Sequence, residues 1–301
     1  MELWIPLTIG AAFFQNIRSA LQKHLNSDLS TLGAAYVRFI YAVPVALVYF
    51  IGLTVYTGHP FPEFGNSFLI YALLGGLCQI LFTVFLLWLF SFHSFAVGTT
   101  FSKLETVIVA LFGLLLLGDK LTGIVVFAIA ISATGLVILS VGQSKLTIRS
   151  MLSGLWRLPT VIGLACATWL GLSVVFFRAA SLSLHLDQYL IAASFTLLLV
   201  LIMQSLVMGV GMALRDFNSL KLVFVHWRSA SLVGISGALA SIGWFSAFTL
   251  QNATYVRALG QVELLFTFVA TVFWFRESIT RVELLGIGLV SGSIILLLLR
   301  G

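Results

Sequence analysis

The chain has 301 residues, 60% of them hydrophobic and 9% charged, against about 25% charged in an ordinary soluble domain. That balance excludes a monomeric water-soluble globule. The formal charge of +6 comes from basic residues scattered between apolar runs, forming neither a stripe nor a tail. Anionic lipid headgroups are therefore the expected counter-surface, and no nucleic-acid partner is expected.

A membrane-crossing helix needs about 20 mostly apolar residues, each advancing about 1.5 Å through about 30 Å of hydrocarbon. The first such run covers residues 4–24; with no basic leader and no small-residue cleavage site it reads as a retained helix. Runs at 32–56, 68–92, 97–117 and 123–141 follow, then a basic connector at 145–157. Five more runs occupy 160–181, 189–214, 231–250, 258–275 and 284–300, giving ten in all. They are continuously apolar, which favours helices over the alternating strands of a membrane barrel. Most connectors are short and carry turn chemistry, as in Asn26-Ser27-Asp28, 58–62 and Gly118-Asp119; only 215–228 is longer. Gly288 with Gly292, and Ala128 with Ser132, have the spacing of close helix approach. Cys78 and Cys166 lie within apolar runs, without metal-ligand spacing, and read as small core residues.

The chain repeats itself. An offset of 158 residues lays Lys103 on Gln261, Glu105 on Glu263, Asp119 on Glu277, Thr122 on Thr280 and Phe90 on Phe248 without a gap. An offset of 160 lays Arg18 on Arg178. The expected organisation is an all-α integral membrane protein whose ten transmembrane helices form two five-helix repeats, 1–144 and 158–301, with 145–157 as connector. Five crossings per unit bring the second copy in from the opposite face, so the repeats are inverted, a recurring basis of alternating access.

The segments at 103–122 and 261–280 carry a resemblance. Leu104-Glu105 followed by Gly118-Asp119-Lys120, and Val262-Glu263 followed by Glu277, resemble the fourth-helix pattern of the drug/metabolite transporter superfamily with its paired EamA-type domains. The likeness extends over essentially the whole chain. Thr106 and Leu264 stand where that pattern has proline, Asp119 where it has glutamate, and Arg276 where it has glycine. The resemblance implies a permease.

Ionisable groups inside a bilayer are costly and mark function by default. The basic candidates are Arg18, Arg38, Lys103, Arg178 and Arg257; the acidic ones are Glu105 and Glu263. Following the runs in order puts Arg18, Arg38, Lys103 and Glu105 toward one face, and Arg178, Arg257 and Glu263 toward the other. Two gates are expected, Arg18 with Glu105 and Arg178 with Glu263; static ion pairs, or arginines snorkelling to headgroups, are the alternative. The surplus of cations favours a carboxylate- or phosphate-bearing substrate. Gln15, Asn16, Gln79, Trp88, Trp169, Trp244 and Gln251 are candidates to line the same cavity, with Trp244 and Gln251 seven apart on one helix face.

The five histidines fall at helix ends or in connectors without metal spacing, and no serine elbow or phosphate loop is present. No cofactor and no enzymatic activity are expected. The leading reading is a secondary transporter of a small organic metabolite, anionic or amphiphilic, driven by a gradient or exchange. A flippase for a lipid-linked substrate is the nearest alternative, with a membrane-embedded enzyme or a channel behind it. The partners are then that small molecule and membrane lipids. Basic residues prefer cytoplasmic loops; Lys23, Lys145, Arg149, Arg157, Arg215, Lys221, Arg228, Arg276 and Arg281 share one face against Lys120 and Arg300 on the other. In a cell membrane this places both termini outside, whereas the resemblance implies both inside; the expectation here follows the charge.

Overall fold

A computed structural model describes residues 2–25, 28–89, 104–144, 158–273 and 280–300. Lys103, His93, Arg276, Glu277 and the 145–157 connector lie outside them. Every described element is an α-helix: α1 (Trp4–Leu25), α2 (Thr31–Ile40), α3 (Val43–Thr57), α4 (Asn66–Leu89), α5 (Glu105–Leu117), α6 (Gly123–Ser144), α7 (Leu158–Leu182), α8 (Tyr189–Arg215), α9 (Phe217–Val225), α10 (Trp227–Leu250), α11 (Ala253–Gly260), α12 (Val262–Phe273) and α13 (Arg281–Arg300). Among the described residues, six helical spans are long and apolar enough to cross a membrane: Thr31–Thr57, α4, α7, α8, α10 and most of α13. The protein is a multi-pass membrane protein.

Helices suit this sequence because lipid offers the backbone no hydrogen-bond partner, so each apolar run must satisfy its own amides and carbonyls. Local chemistry then sets the ends and breaks. Gly58 and Gly118 end α3 and α5 at φ of 65° and 66°, a left-handed conformation glycine adopts without steric cost. Pro44 has no N–H to extend α2, and the chain breaks at Tyr41-Ala42 before α3 starts. The run at 32–56, expected as one helix, is therefore two. The run expected to begin at 258 begins instead at Ala253, because the Asn252 side chain accepts the Thr254 amide at 2.9 Å and caps α11. That segment is interrupted again at Gln261 before α12.

The most extensive packings are α4 on α7, α1 on α10 and α6 on α13. Exchanging α1 with α7, α4 with α10 and α5 with α12, the helices that the sequence offsets match, turns the α4–α7 packing into α10–α1, and the α5–α7 packing into α12–α1, which is also present. Thr122 and Thr280, matched by the 158-residue offset, do equivalent work. Thr122 Oγ1 accepts the Val125 amide at 3.4 Å at the start of α6, and Thr280 Oγ1 the Glu283 amide at 3.2 Å at the start of α13.

Small residues close the α6–α13 contact, though not the pair expected. A Cβ on Gly286 would stand 2.7 Å from the Leu139 nitrogen and 2.9 Å from the Gly135 carbonyl, so the two backbones touch there. Gly288 and Gly292 have nothing within 4 Å of such a Cβ and face open space. Ala128 and Ser132 are buried as expected, and so are Cys78 and Cys166.

Candidate functional site

Burial of charge is the first guide. Arg18, Arg38, Glu105, Arg257 and Glu263 are all less than a tenth exposed, in a bundle where each would be costly without partners. Four of them meet around the interruption at Gln261. Arg257 of α11 forms an ion pair with Glu105, the first residue of α5. Glu263, in the first turn of α12, accepts Gln15 Nε2 at 2.6 Å, while its backbone carbonyl accepts Asn16 Nδ2 at 2.8 Å. Arg18 faces Glu263 electrostatically. Both carboxylates thus sit at helix N-termini, where the partial positive charge of unsatisfied amides favours an anion.

Aromatic and amide groups lock this arrangement. Trp244 Nε1 donates to Gln15 Oε1 at 2.9 Å, and the Arg257 guanidinium lies 4.6 Å from the Trp244 ring centroid, cation–π range. Gly260 allows it, since a Cβ there would meet Trp244 Cη2 at 2.6 Å. Gln261 Nε2 donates to Thr106 Oγ1 at 2.8 Å.

A second patch adjoins the first. Arg38 Nη1 donates to Thr83 Oγ1 at 2.9 Å, and Gln204 Nε2 donates to Gln79 Oε1 at 2.9 Å and to the Gly76 carbonyl at 3.1 Å. A third lies at the ends of α5, α7 and α10. There Arg178 Nη1 donates to the carbonyls of Phe248 and Gln251, closing the end of α10, and Asp119 is the acid that faces it. Asp119, in the loop after α5, has its carboxyl held above the ordinary carboxylate range by burial, against the pull of Arg178.

The expected pairs are not the ones formed. Glu105 pairs with Arg257 instead of Arg18, and Arg178 spends its donors on backbone carbonyls while Glu263 is held from α1. Nor do Arg257 and Glu105 sit toward opposite faces. The cap at Asn252 starts the helix five residues before the apolar run, which carries Arg257 a full turn inward. Of the remaining candidates, Gln15, Asn16 and Trp244 belong to the central network, Gln79 to the second patch and Gln251 to the third. Trp169 is half-buried against an apolar cluster. Trp88 is 41% exposed with its ring 6.3 Å from Phe85, and neither tryptophan joins the network bonds described above.

Thr83, Thr106, Gln204, Gln261 and Asp119 take part without having been singled out as site residues. Three of them stood out in the sequence for other reasons: the 158-residue offset lays Gln261 opposite Lys103 and Asp119 opposite Glu277, and Thr106 stands where the resembled pattern has proline. Among the described residues, no cluster of His, Cys, Asp or Glu is arranged to hold a metal.

Known proteins bear on this arrangement in two ways. The profile of the EamA-like transporter family matches residues 2–141. A solved crystal structure, 14% identical in sequence, superposes with a TM-score of 0.72 over 99% of this chain and 97% of its own, which establishes a shared fold. No curated protein matches the chain in sequence.

Proposed function

Residues 2–141 match the EamA-like transporter family, and from that premise we propose that this chain is a secondary transporter of a small organic metabolite. Two inverted five-crossing units alternate access to a site between them. The first unit comprises α1, the broken α2–α3, α4, α5 and α6; the second comprises α7, α8, α10, the broken α11–α12 and α13. The exchange pattern of the packings, the matched caps at Thr122 and Thr280, and broken spans near buried polar groups all support this reading.

The observation that carries it is where the central network's bonds run. Gln15, Asn16, Glu105 and Thr106 belong to the first unit; Trp244, Arg257, Gln261 and Glu263 belong to the second. Each hydrogen bond and ion pair of that network joins one unit to the other, while the Arg257–Trp244 ring contact lies within the second. A rocking of the units breaks this set together. Such an ion pair holds strongly while water is excluded and weakens once a cavity opens beside it, so its state follows the conformation. Energy comes from a solute gradient or from exchange.

Purified protein in proteoliposomes, preloaded with unlabelled amino acids, organic acids and nucleosides, tests this by counterflow of the labelled compounds without ATP. Wild type accumulates at least one of them, and Glu105→Gln and Glu263→Gln each slow it by about tenfold or more, a barrier change of roughly 1.4 kcal/mol. If both variants exchange at the wild-type rate with the wild-type pH profile, these charges do not gate transport.

A further inference from the structure

We propose that the transported molecule carries a single carboxylate, received between the guanidiniums of Arg18 on α1 and Arg38 on α2, an assignment that rests on the transporter reading above. Three guanidiniums, Arg18, Arg38 and Arg257, are buried in this part of the bundle with two carboxylates, Glu105 and Glu263. Glu105 takes Arg257, and Glu263 faces Arg18. Arg38 is left over. Its guanidinium is buried and donates to the Thr83 hydroxyl at 2.9 Å, and its charged neighbour is Arg18, a second cation. Among the described residues no carboxylate faces it. Arg18 Nε is likewise buried with no hydrogen-bond partner among the described residues.

A guanidinium has five N–H donors and no means of shedding its charge in a protein, and one neutral hydroxyl with the Phe39 ring 5.5 Å away supplies neither a counter-charge nor enough acceptors. Static ion-pair structure does not explain a surplus cation here, because a bundle selected for stability alone gains by replacing it with an uncharged side chain. An anion from outside completes both the charge and the donor count. The planar fork of arginine matches a carboxylate with two parallel bonds. The surplus is one charge, which a monocarboxylate cancels and a phosphate dianion overshoots. Gly237 of α10 lets the Arg18 stem lie against the α10 backbone, since a Cβ there would stand 3.2 Å from Arg18 Cδ and 3.9 Å from the Arg38 carbonyl.

The test is thermal unfolding of the purified protein with butyrate, benzoate, phenylacetate and inorganic phosphate, each carboxylate set against its own amide. In wild type at least one carboxylate raises Tm and its amide does not, because only a ligand that prefers the folded state shifts the transition. Arg38→Gln weakens that response at least tenfold in apparent affinity, and Arg38→Lys retains part of it. Without any ligand, Arg38→Gln raises Tm by about 3 °C, whereas Arg18→Gln, which strands Glu263, lowers it. A structural arginine would show the opposite sign in the Arg38 variant. A fall in Tm for Arg38→Gln, amides acting like carboxylates, no carboxylate response, or phosphate outdoing every carboxylate overturns the proposal. Carboxylate binding without counterflow of any solute keeps the anion site and removes the transporter reading. Counterflow that ignores the difference between carboxylate and amide does the reverse.

Discussion

Glu105 of α5 and Arg257 of α11 are each about a twentieth exposed, so neither has water to fall back on when its partner is removed. Breaking a buried pair by neutralising one member costs about 3–5 kcal/mol, whereas removing both together is close to neutral, because the cost lies in the stranded charge. Glu105→Gln and Arg257→Gln are each expected to lower thermal stability by that amount in a fixed detergent, and the double variant to recover most of it. Simple addition of the two losses would mean that the residues do not depend on each other. Asp119 behaves differently. Its carboxyl is raised by burial, so the folded state holds the proton more tightly than the unfolded chain does. Its contribution is full below the ordinary carboxylate value and is lost as pH climbs through the raised one. Asp119→Asn mimics the protonated form and should melt higher than wild type at about pH 7, the two curves converging toward about pH 4. A wild type that is the more stable at neutral pH would show Arg178 attraction outweighing burial.

Helix contacts depend on rotation, which is where sequence reading reached its limit. Gly286 and Gly288 look alike in a string, but two residues turn an α-helix by about 200°, and only Gly286 meets the backbone of α6. Gly286→Ala puts a methyl group 2.7 Å from the Leu139 nitrogen, which cannot move without parting the helices; about 1–3 kcal/mol of lost stability is expected. Gly288→Ala has open space around it and should leave Tm unchanged; equal effects would mean that α6 and α13 do not meet through Gly286. The same limit explains the site. Apolar length located the runs and scarcity of charge picked out Arg18, Arg38, Glu105, Arg257 and Glu263, which are all buried. Partner choice escaped the sequence, because it turned on a side-chain cap at Asn252 that hydropathy does not register. Thr83 and Thr106 escaped for another reason: a hydroxyl in an apolar helix is ordinary until an arginine or amide is found against it.

At the scale of the molecule, we propose an orientation of the bundle from its ends. Tyr41 Oη donates to the Val223 carbonyl at 3.1 Å, which pins α9 to the break between α2 and α3. Exposed Phe217, Phe224 and Trp227 on and beside α9, with Lys221 over the Phe217 ring and Arg228 over the Trp227 ring, give this region an apolar body and a basic rim. Such a segment lies along a headgroup layer, and its charge favours the cytoplasmic leaflet. Asp119, Arg178 and Gln251 gather at the ends of α5, α7 and α10, the ends that the proposed ten alternating crossings assign to the opposite face. In the proposed architecture an even crossing number returns both termini to that second, outer face. Glu2→Cys and Gly301→Cys should react with a membrane-impermeant maleimide in intact cells, and Ser229→Cys, exposed just after Arg228, only after permeabilisation. Cys78 and Cys166 are buried, which keeps the background low. Labelling of Ser229→Cys alone in intact cells would turn the protein over while preserving its two units. If one terminus labels and the other does not, the number of crossings is odd, and two opposed five-crossing units cannot be the architecture.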